Sequence, residues 1–355
     1  MTTSKKNLSP NVLDLFCGAG GFAEGFRQAG YKIIAGIDFD DNALTTFEFN
    51  FPEALTIKKD LSRDYIEGMD KIFSHKIDVI IGGPPCQGFS VAGKRLKDDP
   101  RNTLYKAYLH LIKALKPKAI VIENVPTIMG LYGGVIGKQI IEDIEHLTYK
   151  VKVYKLLASD YGIPQTRKRI FFVGILGKGD FKIPEGKYTN SPLTTKTAIS
   201  DLPLLDNNPG ASKLPYLQQA SNDYQRELRK DSEMIYNHEA VIHLPRTVKI
   251  IKMVPDGGNY KSLPKELWST RKVNIAWTRM NSEKPCFTID AGHNHHFHYK
   301  ANRVPTVREC ARIQSFPDKF RFFGNRTSQY RQVGNAVPPK LARIIGEALK
   351  GVVKK

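Results

Sequence analysis

Residues 11–28 read NVLDLFCGAGGFAEGFRQ. Asn11 to Cys17 is a short apolar run with one polar interruption, Asp14, and predicts a strand. It runs straight into Gly18-Ala19-Gly20-Gly21, then a helical pattern to Gln28 with Gly30 as its stop. Strand, glycine-rich turn and helix are the opening of a Rossmann-like unit, where glycines let a ligand approach the backbone. A second strand, Lys32 to Ile37, ends at Asp38, where an acid can accept hydrogen bonds from ribose hydroxyls. The pattern fits a dinucleotide site and an S-adenosylmethionine site equally well, so the ligand must be decided elsewhere.

Working outward, a weakly marked strand near Ala54 to Ile57 leads to Asp60-Leu61. Asp60 either holds an amino group of the ligand or caps a helix. A fourth strand, Ile77 to Ile81, runs into Gly82-Gly83-Pro84-Pro85-Cys86-Gln87-Gly88-Phe89-Ser90. Two glycines free the backbone and two prolines stiffen it, so one cysteine is presented past a stiff corner. The corner is either the seat of a nucleophile or a tight structural turn. Residues 91–102, VAGKRLKDDPRN, read as a surface loop carrying Lys94, Arg95, Lys97 and Arg101.

A helix is expected from Thr103 to Leu115, stopped by Pro117, then a buried strand Lys118 to Ile122 ending at Glu123. In an open α/β sheet the carboxyl ends of the strands face the ligand crevice, so Cys86 and Glu123 are candidates for one crevice. A helix over Gly137–Leu147 and a strand over Lys150–Leu157 come next. Gln165-Thr166-Arg167-Lys168-Arg169 then enters the apolar strand Ile170 to Ile175. Alternation places Arg167 and Arg169 on one strand face. Two guanidiniums there suit a carboxylate, a phosphate or a base carbonyl.

The doubly wound alternation stops after Gly177. Residues 178–303 are loop-rich and read as a second, smaller domain. The tract His293-Asn294-His295-His296-Phe297-His298-Tyr299-Lys300 raises the thought of zinc, but no cysteine or carboxylate at ligand spacing supports it, and no metal is expected. Polar, aromatic and basic groups at a DNA surface explain the tract better. The α/β character resumes from Arg303, with a short helix Thr306–Gln314. A Gly/Asn turn over Gln332–Pro339 then leads into a last helix, Lys340–Leu349.

The 355 residues hold 54 Lys and Arg against 35 Asp and Glu, a net charge of +19 with a pI near 9.6. Such an excess points to a polyanionic partner, since each neutralised phosphate releases counterions. The apolar fraction, 41%, supplies a sizeable core. No apolar run approaches the ~18 residues of a membrane span, and no secretory signal opens the chain. Four widely spaced cysteines, Cys17, Cys86, Cys286 and Cys310, read as reduced thiols of a cytoplasmic protein.

Taken in order, Asp14-Leu15-Phe16 through Gly21, Gly83-Pro84-Pro85-Cys86, Glu123-Asn124-Val125, Gln165/Arg167/Arg169, Arg308 through Pro317 and Gly334-Asn335 resemble the motifs of the DNA cytosine-5 methyltransferases of prokaryotic restriction–modification systems. The resemblance covers nearly the whole chain. It implies a Rossmann-like catalytic domain of residues 1–180 and 305–355, with a target-recognition domain, 181–304, inserted late. It implies S-adenosylmethionine as methyl donor, leaving as S-adenosylhomocysteine. By position, Phe16, Gly18, Gly20, Asp38, Phe39, Asp60, Leu61, Pro84, Leu104, Asn335 and Val337 are the expected cofactor contacts. Cys86, Glu123, Arg167 and Arg169 are the expected catalytic residues. Expected DNA contacts are Gln87, Ser90, Lys94, Arg95, Arg101, His295, His298 and Arg303.

The implied reaction puts a methyl group on carbon 5 of a cytosine flipped out of a specific double-stranded DNA sequence, through a Cys86 adduct at carbon 6. The same chemistry on a tRNA cytosine is the alternative. The resemblance further implies a cytoplasmic, nucleoid-associated monomer, with any cognate endonuclease acting as a separate protein.

Overall fold

A computed structural model of the protein describes residues 9–61, 72–73, 75–84, 103–177, 179–206, 209–270, 277–291 and 296–354. The chain forms two compact units. Met1–Leu156, Lys168–Glu185 and Leu341–Lys355 make the first; Leu157–Arg167 and Gly186–Lys340 make the second.

The first unit is built on β1 (Asn11–Leu15), α1 (Gly21–Gln28), β2 (Lys32–Asp38), α2 (Asp41–Asn50), β3 (Leu55–Lys58), β4 (Val79–Gly82), α3 (Thr103–Leu115), β5 (Ala119–Asn124), α4 (Val135–His146), β6 (Tyr149–Leu157) and β7 (Lys168–Leu176). Seven strands form one sheet in the order β3-β2-β1-β4-β5-β7-β6. The neighbours from β3 to β5 are parallel, and β7 runs antiparallel to β5. The near-continuous apolar runs of β1, β2, β4 and β5 are buried because helices cover both faces of a parallel sheet. Tyr108 and Ile112 of α3 and Ile136, Ile140 and Ile144 of α4 pack into that core. At the edge, β6 carries Lys150, Lys152 and Lys155, charges that discourage pairing with another chain. The helix α2 went unread in the sequence, because DNALTTFEFN mixes polar and apolar residues without a clean stripe. Asp40 caps it by accepting from Ala43 N at 3.1 Å.

Among the described residues the second unit has one small antiparallel pair, β8 (Gly210–Pro215) with β9 (Met234–Glu239). Its helices are α5 (Thr195–Ile199), α6 (Asp223–Arg229), α7 (Pro245–Met253), α8 (Val307–Ile313) and α9 (Arg326–Asn335). A small apolar core gathers Ile250, Ile251, Val254, Leu263, Trp277, Phe297 and Val304. With so few strands, backbone carbonyls must find other donors, and buried arginines supply them. Arg279 donates to Ile251 O, Val254 O, His298 O and Ala301 O at 2.7–3.0 Å, which closes the C-terminal end of α7. Arg308 reaches Tyr236 O, Pro317 O and Phe320 O. Arg312 sits between Asp318 and Asp201, two bonds to each, at 2.7–3.2 Å.

Arg303 is part of the same fastening, and this corrects its expected place on DNA. Its guanidinium grips Glu309 with two bonds of 2.7 and 2.8 Å and also donates to Leu204 O. Glu309 closes a capping box with Thr306 at the start of α8. His298 is buried beside it, its Nδ1 accepting from Lys300 N and Ala301 N, so it is not a DNA contact either.

The compact units also do not follow the expected functional boundaries. Residues 305–340 belong with the second unit, because Arg308 and Arg312 tie α8 to Tyr236 and Asp201. Of the stretch read as a turn, Gln332–Pro339, the first part through Asn335 is the end of α9.

The last helix, α10 (Pro339–Val353), returns to the first unit from Leu341 onward. Leu341, Ala342, Ile345, Leu349 and Val353 form its buried stripe. Tyr31 Oη donates to Gly346 O at 2.9 Å, and Lys118 Nζ to Val353 O at 2.7 Å.

Burial lowers the His298 imidazole to about 4, with Glu309 opposing and Arg303, His238 and Arg279 adding to the effect. Burial lowers His238 too, against Glu309. Burial alone would raise Glu309, but Arg303 and His298 hold its carboxyl well below its ordinary value. Unfolded imidazoles bind protons near 6.5, so between about 6.5 and about 4 the unfolded chain holds more protons than the folded one, and stability falls with falling pH. The thermal midpoint of the second unit should therefore drop as pH goes from 7 to about 4.5, and His298→Asn should flatten that slope. Calorimetric scans across this range check it; the same slope in the variant would contradict it.

Candidate active site

The parallel strands bring three chain turns to one edge of the first unit: after β1, after β4 and after β5. This edge includes the point where the strand order reverses, between β1 and β4, the place where open α/β sheets bind ligands. The turn after β1 is tight. Phe16 and Gly18 take φ of 57° and 50°, and Gly20 takes 92°. A Cβ on Gly20 would lie 2.5 Å from the Phe51 ring, so no larger residue fits there.

Asp38, at the end of β2, braces this turn. Its Oδ2 accepts from Gly18 N at 2.8 Å, and its Oδ1 from Phe39 N and Asp40 N. Burial raises the Asp38 carboxyl, and the three backbone donors pull it back. Phe39 beside it is 64% exposed. Burial also raises Asp14 well above its usual range, with an opposing hydrogen bond from the Ala23 backbone and the Asp38 charge adding to the rise. Asp60 is half-buried, and Leu61 and Pro84 are buried. Leu104 and Phe16 are partly buried against the core.

The second feature is an ion pair. Glu123 stands near the carboxyl end of β5, directly across from Phe171 in the antiparallel register with β7. Arg169, one step into β7, sets its Nε 2.7 Å from Glu123 Oε1. Its Nη1 donates to Lys168 O. The pair is half-sheltered, with side chains 14% and 11% exposed. Glu123 also reaches the turn after β4, where a Cβ on Gly83 would stand 3.0 Å from Glu123 Oε2. Asn124 Nδ2 donates to Pro84 O at 3.0 Å and so ties that corner to the strand end. Sequence reading left Asn124 without a role of its own, although it falls inside the Glu123-Asn124-Val125 motif.

Arg167 does not share a strand face with Arg169, because β7 begins after it, at Lys168. Its buried guanidinium donates to Gly334 O at 2.8 Å and Ile289 O at 3.5 Å. Gln165 works alongside. Its Oε1 accepts from Ile289 N and its Nε2 donates to Gln314 Oε1, while Gln314 Nε2 donates to Val333 O and Ala336 O. Arg167 thus holds backbone just ahead of Asn335 and Val337, instead of facing a reacting base. Gln314 is a further member that sequence reading missed, since its partners lie far along the chain. Cys86, Gln87, Ser90, Lys94, Arg95, Arg101 and His295 lie outside the described residues.

The profile of the C-5 cytosine-specific DNA methylase family matches residues 10–351. The type II methyltransferase M1.HphI of Haemophilus parahaemolyticus is 37% identical over 346 residues, covering 96% of this chain and 87% of the relative. M.DdeI of Desulfomicrobium norvegicum, also a type II methyltransferase, is 39% identical over 371 residues, covering 96% and 88%. Among solved structures, a putative DNA modification methyltransferase encoded within a prophage of E. coli superposes with a TM-score of 0.81 at 29% identity, covering 98% of this chain and all of that one. Spodoptera frugiperda DNMT2, at 16% identity and a TM-score of 0.64, is a likeness of fold alone. With a family match over nearly its whole length, and relatives of more than 30% identity over most of theirs, this chain belongs to the C-5 cytosine-specific DNA methylases.

Proposed function

We propose that this DNA cytosine-5 methyltransferase acts through a covalent adduct between Cys86 and carbon 6 of a flipped-out cytosine, with S-adenosylmethionine as the methyl donor. The observation that carries the reading is the Glu123–Arg169 pair beside the Gly83-Pro84 corner that precedes Cys86.

Carbon 5 of cytosine is too weak a nucleophile to take a methyl group directly. Addition of the Cys86 thiolate to carbon 6 turns the ring into an enamine with an electron-rich carbon 5. The other three cysteines do not suit the task. Cys17, Cys286 and Cys310 are buried, and burial pushes their thiols up, Cys286 to about 12. Glu123 in its protonated form meets ring nitrogen 3 as charge develops there, by hydrogen bonding or proton donation. Arg169 fixes the Glu123 carboxylate through Nε and keeps further N–H groups for the base oxygen. Once carbon 5 has taken the methyl group, a base removes its proton and the Cys86 thiolate leaves from carbon 6. None of these groups can reach a stacked base, so the cytosine must leave the duplex.

The residues after β1 and β2 fit the donor. Nothing lies within 4 Å of a Cβ built on Gly18, and Phe39 offers an exposed ring next to Asp38. Gly18, Gly20, Phe16, Asp38, Phe39, Asp60, Leu61, Pro84 and Leu104 would hold it, with Asn335 and Val337 assigned by family position. When bound, S-adenosylmethionine supplies an electrophilic methyl group on a sulfonium. Arg167, by holding Gly334 O, positions the Asn335 backbone and is not assigned to the base.

Residues 181–304 would choose the sequence. By the names of its relatives the enzyme would serve a type II restriction–modification system. We further propose that it works as a cytoplasmic monomer. Methylation of tRNA is not favoured, given the DNA methylase family match.

Cys86→Ser should abolish methyl transfer and leave specific DNA binding largely intact. Wild-type protein should form a denaturation-resistant adduct with DNA carrying 5-fluorocytosine, since fluorine blocks the final elimination. An adduct on the Ser variant, or none on the wild type, would remove Cys86 from this role.

Glu123→Gln should slow single-turnover methylation by roughly 10²-fold or more, the usual scale of a general acid–base contribution, with cofactor affinity little changed. A rate within a few-fold of wild type would exclude it from the chemistry.

A further inference from the structure

Two of the most exposed large apolar side chains in the protein stand two residues apart in the second unit. Ile242 is 77% exposed and Leu244 is 76% exposed. The fold leaves their burial unused. Their outward direction is fixed by the residue between them. His243 Nε2 accepts from Val304 N at 3.2 Å, and its ring meets Phe297 edge to face, so it is anchored at the small core.

Pro245 then starts α7. The helix turns Ile250 and Ile251 into that core and leaves Arg246, Lys249 and Lys252 exposed on its other side. Among the described residues these three cations enter no ion pair. No Asp or Glu occurs between Ala240 and Val254. A rigid apolar pair beside an uncompensated basic face matches a polyanion that also presents apolar groups.

We propose that Ile242, Leu244 and the basic face of α7 form a contact surface for duplex DNA. Arg246, Lys249 and Lys252 hold phosphates, and the apolar pair lies against base edges in a groove, where a thymine methyl is the complementary group. The proposal rests on the DNA methyltransferase reading. It deepens that reading by naming the residues that separate one sequence from another.

Two variants of the full chain test it. The wild type first methylates a plasmid library with tritiated S-adenosylmethionine, and bisulfite sequencing gives its target; no methylation there would sink the parent reading itself. Arg246→Gln/Lys249→Gln/Lys252→Gln should weaken target and random duplexes alike. It should also lower the slope of log affinity against log salt by about two to three, the scale set by three lost phosphate contacts. Ile242→Ser/Leu244→Ser should leave that slope unchanged and cut the ratio of target to random binding by roughly 10-fold, the scale of one lost base contact. Thermal melts confirm folding, and the single variants Ile242→Gln and Leu244→Gln carry the test if the double variant does not fold. Unchanged specificity in the apolar variants, with an active wild type, overturns the surface alone. So does a wild type that sediments as a dimer which the apolar variant loses, since the pair would then cover a second copy.

Discussion

The second unit depends on the burial of guanidinium groups. Arg167, Arg279, Arg303, Arg308 and Arg312 are all at most 3% exposed. Taking such charges out of water is costly unless their donors are met, and here carbonyls and carboxylates take most of them. A planar group with five N–H donors can serve several carbonyls at once, where the described residues of the second unit pair only two strands. The arginines therefore stand in for a hydrogen-bond ladder. They also temper the reading of the net charge. Part of the +19 is internal structure, and the charge offered to a polyanion is carried by other residues, such as those on the outside of α7.

The first unit uses one guanidinium differently. The antiparallel pairing of β5 with β7 puts the last turn of one strand beside the first residues of the other. Glu123 and Arg169 are neighbours for that reason alone, although 46 positions separate them in the chain (169 − 123). An all-parallel sheet would have sent the start of β7 to the opposite edge. The glycine at 83 and the amide of Asn124 then bring the corner after β4 up to the same carboxylate.

Much of this edge was legible in the sequence, because local rules govern it. The strand, glycine turn and helix over residues 11–28 need only periodicity and glycine. Glu123 needs only its place at a strand end. What stayed hidden involves partners far along the chain. Arg167 and Arg169 look alike in QTRKR, yet one meets Gly334 and the other Glu123. His298 and Arg303 sit in a polar, basic tract and read as surface; Glu309, which draws them inward, belongs to the start of the next helix. The helix α9 was missed because Gly334 and Asn335 read as a turn and instead end it.

The first unit is assembled from three pieces of chain, the last of which is α10. The groups that α10 covers, around Tyr31 and Lys118, are made early in synthesis. The intervening segment Gly186–Lys340 is 155 residues long (340 − 186 + 1). At about 5–20 residues per second the nascent chain waits roughly 8–30 seconds with that apolar seam open to water. A chain stalled before residue 341 would expose the seam permanently and become a substrate for chaperones and proteases. A covered seam would mark a ribosome that has read the message through to the helix.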